Sequence, residues 1–134
     1  MTGFKILVTT DGSNLSDKAV ETAVELTKKF GGELIGVTAV VAPPSSGGLA
    51  GEDQAVRERL EAVARKAREK DVPCEVVAEH CQSISEGILA CAARFDAAFI
   101  VMASRGLGTI GSFLLGSETQ KVLHQADRPV LVVR

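Results

Sequence analysis

Tryptophan and tyrosine are absent from this 134-residue chain, and five phenylalanines bring the aromatic share to only 4%. Hydrophobic residues nevertheless make up 46%, so the core has to be aliphatic, built from Val, Leu, Ile and Ala. No apolar run approaches the length needed to span a bilayer. The opening residues, MTGFKILVTTDGS, lack a basic start followed by a long apolar stretch and a cleavage site, so no signal peptide is expected. There is no excess of positive charge, the formal net charge being -2. That argues against a nucleic-acid binder working through a general basic surface, and it does not favour a membrane-surface role. Cysteine is scarce. Cys74, Cys81 and Cys91 are odd in number and irregularly spaced. Without an export signal they read as reduced thiols, with the cytoplasm as the default location. Paired ligands such as Cys-x2-Cys are missing, so no zinc site is expected.

What is present is alternation. Lys5 to Thr10 is a β-branched apolar run that stops at Asp11-Gly12, as suits a strand buried on both faces. Leu15 to Phe30 has a helical pattern, with Ala19, Ala23, Leu26 and Phe30 on one face and Gly31-Gly32 ending it. A second strand fits Glu33 to Val41, and Ala42 to Gly51 reads as a mobile loop. A charged helix follows from about Glu52 to Lys70, with Val56, Leu60, Val63 and Ala67 facing inward. Its alternating charges are explained by a solvated face. Strand three is expected over Cys74 to Ala78. Ser83 and Glu86 have capping-box spacing and open a helix to about Arg94 that puts Cys91 on one face with Ile84 and Ile88. Strand four is expected over Ala97 to Ala103, a last helix over Ser117 to Gln125, and strand five over Pro129 to Val133. One domain over residues 1–134 is expected, without internal repeat.

This order predicts an α/β fold, a parallel sheet with helices on both faces. Ligands in such sheets sit at the carboxyl ends of the strands, where the strand order reverses. Two loops lie there, Thr10-Asp11-Gly12-Ser13 and the stretch from Ala103 to Ser117. The second holds Gly106, Gly108, Gly111 and Gly116 among small hydroxyl residues. Glycine lets backbone N–H groups approach an anion, and the helix opening at Gly116-Ser117 offers free N–H groups to phosphate. Ser117 and Thr119 would add hydroxyl donors, and Arg105 charge. A glycine-rich surface turn with a serine cap explains the same residues. Asp11 likewise reads either as a ligand contact or as an Asx-turn and helix cap. The loop is neither a Walker A motif nor the dinucleotide fingerprint.

The loop resembles the nucleotide signature of the universal stress protein family, Gly-x2-Gly-x9-Gly-Ser/Thr. Gly106, nine residues and then Gly116-Ser117 match it, while Ala103 stands at the first glycine. The start KILVTTDGS and the ending LLGSETQKVLHQADRPVLVV are also similar to that family, so the resemblance covers essentially the whole chain. It implies a doubly wound five-stranded sheet of order 3-2-1-4-5. It further implies that Asp11 approaches an adenosine, that backbone near Ala39 or Val40 holds the adenine edge, and that Gly106, Gly116, Ser117 and Thr119 cradle phosphates. The ligand implied is ATP, or ADP or AMP, with Mg²⁺ on the phosphates. Ala103 adds a methyl group, which a required positive φ or a tight approach to ligand would penalise.

The function expected is a nucleotide-binding regulatory module of the stress response, presenting a changed surface to a protein partner. No general base or triad is evident, so no enzyme is expected. The alternative is a dimerisation module of the same fold that binds no nucleotide. Such proteins commonly pair through the last strand, and Pro129 to Val133 would be an apolar edge. A phosphoacceptor domain needs acidic neighbours beside Asp11 and a late lysine, neither of which is present.

Overall fold

The computed structural model describes residues 4–41, 50–105 and 115–134, with side chains from residue 54 onward in the second helix. Gly106 and most of the expected 42–51 loop lie outside the described residues.

Five strands, β1 (Lys5–Thr9), β2 (Glu33–Val41), β3 (Cys74–Cys81), β4 (Phe99–Ala103) and β5 (Val130–Val133), form one parallel sheet. Its order is β3-β2-β1-β4-β5. The helices are α1 (Asn14–Phe30), α2 (Ala50–Glu69), α3 (Ile84–Phe95) and α4 (Ser117–Gln125). Alternate strand residues feed two cores. Ile6, Val8, Leu34, Val101 and Ala103 pack with Val20 and Val24 of α1 and Val63 of α2. Leu7, Ile35, Val37, Ile100 and Met102 pack with Ile88 of α3 and Val122 of α4. The central runs are continuously apolar because both faces are covered.

Local chemistry sets the helix ends. Ser13 caps α1 by accepting from the N–H of Ser16, and Gly31 ends it with N–H bonds to Thr27 and Lys28. Ser83 accepts from the N–H of Glu86, which is one half of the expected capping box. α4 spans the residues expected of it, and β2 does as well.

Several expectations need correction. β3 runs on through Glu79 and His80 to Cys81, because an edge strand tolerates charged side chains while its backbone pairs with β2 out to Val41. β4 starts at Phe99 rather than Ala97: Asp96 caps α3 in the left-handed conformation, and the chain needs Ala97 and Ala98 to reach the sheet. β1 ends at Thr9, β5 begins at Val130 and α2 begins at Ala50. Phe30 is 55% exposed instead of facing inward. It stacks with Phe4 and Phe99, ring centroids 5.3 and 6.4 Å away, over the amino end of the sheet. Val56 and Leu60 are half-buried, and Val63 and Ala67 carry the α2 contact.

That contact depends on Gly36. A Cβ there would lie 2.6 Å from Cγ1 of Val63, which is itself 1% exposed. Gly36→Ala is predicted to lower the unfolding free energy by about 1–3 kcal/mol, read from urea melts. Combining it with Val63→Ala should cost less than the two single losses added together. Strict additivity would show that this contact is not the cause.

Candidate functional site

β1 pairs with β4 only as far as Val8 and Val101, whereas it pairs with β2 through Thr9 and Val37. Beyond that point the chain leaves β1 on one side and β4 continues against β5 to Ala103 and Val133. The gap is the switch point of the doubly wound sheet. A cavity of about 340 Å³ opens there, lined by the ends of β1, β2 and β4, by Arg59 of α2, by Ile84 and Ile88 of α3, and by Gly116 to Thr119.

The β1 side is held by a hydrogen-bonded knot of buried hydroxyls. Thr38 donates to the carbonyl of Thr10 at 2.8 Å. The hydroxyl of Ser16 donates to the carbonyl of Ser13 at 2.9 Å, so the hydrogen in its 3.0 Å contact with Thr10 comes from Thr10. Thr10 Oγ1 in turn accepts from the N–H of Gly12. Asp11 Oδ1 accepts from the N–H of Ser13 at 2.9 Å, an Asx-turn. The structural reading of Asp11 therefore holds, and the same carboxylate lines the cavity. Gly12 sits at φ +87, and Arg59 lies across it, with Nε 3.1 Å from where a Cβ would be.

On the β4 side, Ala103 is 8% exposed, in regular strand conformation and packed into the α1-side core. Its carbonyl accepts from the Thr119 hydroxyl at 2.9 Å. Ser104 accepts from the N–H of Gly116 at 2.7 Å. Both groups were expected as phosphate donors; instead their hydrogens tie α4 to the end of β4. The N–H groups of Ser117 and Glu118 precede the first intrahelical bond, from Gln120 to Gly116, and are the ones a helix start leaves available.

The structure thus brings Asp11, Ala39, Ala103, Arg105, Gly116, Ser117 and Thr119 around one cavity. Val40 is not in its lining; it is buried, and its carbonyl faces the Cys81 thiol at 3.7 Å. Gly106 lies outside the described residues. Several contributors escaped the sequence reading. Ser16 and Thr38 gave no motif, and Thr10 was named only as part of the loop after β1. Arg59, assigned to a solvated face, stands three residues after Val56 and four before Val63, on the edge of the inward stripe. Glu118 is another: its Oε1 accepts from the N–H of Ser85 at the start of α3, 3.0 Å away, and its Oε2 pairs with Lys121 at 3.2 Å. Ile84, expected beside Ile88 and Cys91, is 40% exposed and forms part of the cavity wall. Cys91 is buried, and burial pushes its thiol up to about 11, as it does that of Cys74. Such thiols stay protonated at neutral pH.

The sequence profile of the universal stress protein family matches residues 4–134. The chain belongs to the universal stress protein family. A family member from Thermus aquaticus, the universal stress protein in the QAH/OAS sulfhydrylase 3′ region, is 35% identical over 133 residues, spanning 96% of this chain and 97% of that protein. Among solved structures, a universal stress protein from Archaeoglobus fulgidus in complex with dAMP has a TM-score of 0.83 at 18% identity, with all of both chains covered. A universal stress protein in complex with cAMP has a TM-score of 0.80 at 23% identity, covering 98% of this chain and 97% of that one. These likenesses are of fold. Among the described residues, no helix is long and apolar enough to cross a membrane.

Thr119→Val is predicted to destabilise the protein by about 1–3 kcal/mol, the cost of leaving a buried carbonyl without its donor, while Thr119→Ser should recover most of it. Equal melts for threonine and valine would remove the tether from the account.

Proposed function

We propose that the cleft between the ends of β1 and β4 binds an adenine nucleotide and that the protein acts as a nucleotide-dependent regulatory module. The observation that carries this reading is the α4 start. Its first residues, whose N–H groups a helix start leaves available, line a cavity of about 340 Å³ together with Asp11, at the point where strand order reverses. Family membership and the adenine nucleotides held by two proteins of the same fold support the ligand class. In this reading Asp11 meets the adenosine, and backbone at Ala39, the one of the two expected β2 residues that lines the cavity, holds the adenine edge. The N–H groups of Ser117 and Glu118, the Ser117 hydroxyl and Arg105 receive phosphate. Gly116 and Thr119 position the α4 start instead of donating to the ligand.

No catalytic role is assigned. Both carboxylates of the cleft accept hydrogen bonds within the fold, Asp11 from Ser13 and Glu118 from Ser85. Among the described residues no three of His, Cys, Asp and Glu are grouped to hold a metal; the Mg²⁺ expected with the ligand would sit on its phosphates, and no step is routed through it. Ala103 is compatible with the reading, because its φ is not left-handed.

Calorimetric titration with AMP, ADP and ATP tests the proposal. Micromolar binding, about -8 kcal/mol, is expected and should vanish in Gly116→Val, whose fold is checked by its melt. Ala103→Gly should bind nearly as well as the parent while losing about 0.5–1 kcal/mol of stability, the cost of glycine within a strand. No binding of any adenine nucleotide by the folded protein would favour the alternative, a dimerising module without nucleotide.

A homodimer through β5 is the second part of the proposal. This strand is a sheet edge, and Leu131 on it is 39% exposed. Sedimentation should show a dimer that Leu131→Glu converts to monomer. A parent protein that sediments as a monomer, or a dimer indifferent to the change, would reject it.

A further inference from the structure

Three properties of the cleft bear on how many phosphates its ligand carries. The first is size. A cavity of about 340 Å³ sits at the small end of the roughly 300–1,000 Å³ typical of small-molecule sites. The second is charge. Among the described lining residues, Arg59 and Arg105 stand against Asp11 and Glu118, so these four groups cancel in formal charge. A triphosphate site is ordinarily lined by excess positive charge or a metal. The third is the donor inventory among the described residues. The Gly116 N–H and the Thr119 hydroxyl, which stand where a phosphate cradle would use them, donate to Ser104 and Ala103.

Glu118 is the decisive group. It occupies the second position of α4, the helix start at which phosphate would bind, and it is held there. The Ser85 N–H fixes one carboxylate oxygen, so Glu118 acts as an internal anion for the start of α3. Lys121 meets the other oxygen from a half-exposed position, 53% exposed, where an ion pair offsets little of the charge. A ligand phosphate at α4 therefore approaches a fixed carboxylate, and each further phosphate adds repulsion.

We infer that this cleft selects an adenosine ligand with a single phosphate over one with three, and that the Glu118 carboxylate is the specificity-determining group. The inference rests on the proposed nucleotide site and goes beyond it by naming the ligand class. The selection is a penalty against the competitor rather than a new contact to the favoured ligand.

The test compares AMP and ATP by calorimetry in EDTA, where no cation masks the phosphates, for the parent and Glu118→Gln. Glutamine keeps an oxygen to accept from Ser85, so the melt of the variant should stay close to the parent's. The parent is expected to bind AMP about tenfold more tightly than ATP. Glu118→Gln should shrink that ratio by strengthening ATP more than AMP. A merely structural role would weaken both ligands together. ATP binding as tightly as AMP in the parent would overturn the inference while leaving the nucleotide site standing. A ratio unchanged by Glu118→Gln would overturn the role of Glu118. Failure of both nucleotides to bind the folded parent would instead bring down the site itself.

Discussion

β1 is hydrogen-bonded on both sides, and its two neighbours part just where it ends. That constraint governs the rest of the molecule. A strand paired to β2 and to β4 with both faces covered leaves no exposed side on which to build a site. The connections must leave from the carboxyl ends, one toward α1 and the other toward α4, on opposite faces of the sheet. Polar side chains then collect at the divergence, because only there does backbone run out of ladder partners. The cavity is a consequence of topology before it is a feature of any motif.

The divergence has to be stabilised, since two strand ends that separate expose polar backbone next to an apolar core. Thr10, Ser16 and Thr38 do this on the β1 side, all of them under 5% exposed. Thr119 and Gly116 do it on the β4 side. Among the described residues no buried side-chain nitrogen or oxygen lacks a partner. The described walls are therefore held by bonds within the fold itself, and such preorganisation lowers the ordering cost of any ligand. Arg59 adds a lid-like element from α2, laid over Gly12, whose left-handed φ gives the turn its shape.

Much of this architecture was legible in the residues. The buried central strands wrote themselves as continuous apolar runs, and the α3 cap as a serine three residues before a glutamate, whereas the α1 cap is Ser13 and not the Asp11 that the sequence suggested. The candidate site was legible as two loops at strand ends, Thr10 to Ser13 and Ala103 to Ser117, and the family resemblance named residues within and beside them. What stayed hidden was carried by side-chain bonds between residues far apart in sequence, such as Thr38 to Thr10 across 28 positions and Glu118 to Ser85 across 33. No local pattern encodes such a partner. β3 was read too short because charge at Glu79 and His80 looks like a strand end, yet an edge strand continues as long as its backbone pairs on one side, here with β2 out to Val41. Phe30 was turned inward by helical periodicity, although at the last turn of α1 it had two other phenylalanines to pack on instead.

The motif residues also show why a signature is a poor guide to which atom does what. Gly116 and Thr119 belong to the segment that resembles a phosphate cradle, yet their hydrogens satisfy carbonyls of the strand end. Ala103 departs from the signature, yet its backbone is regular and its methyl fills the core on the α1 side. A position can thus keep the shape of a cradle without offering a donor, or lose a signature residue without losing the shape. Discrimination among ligands then falls to the groups whose charge reaches the cavity. Among the described residues those are two arginines and two carboxylates, and of these carboxylates Glu118 is the one on the helix start where phosphate would bind.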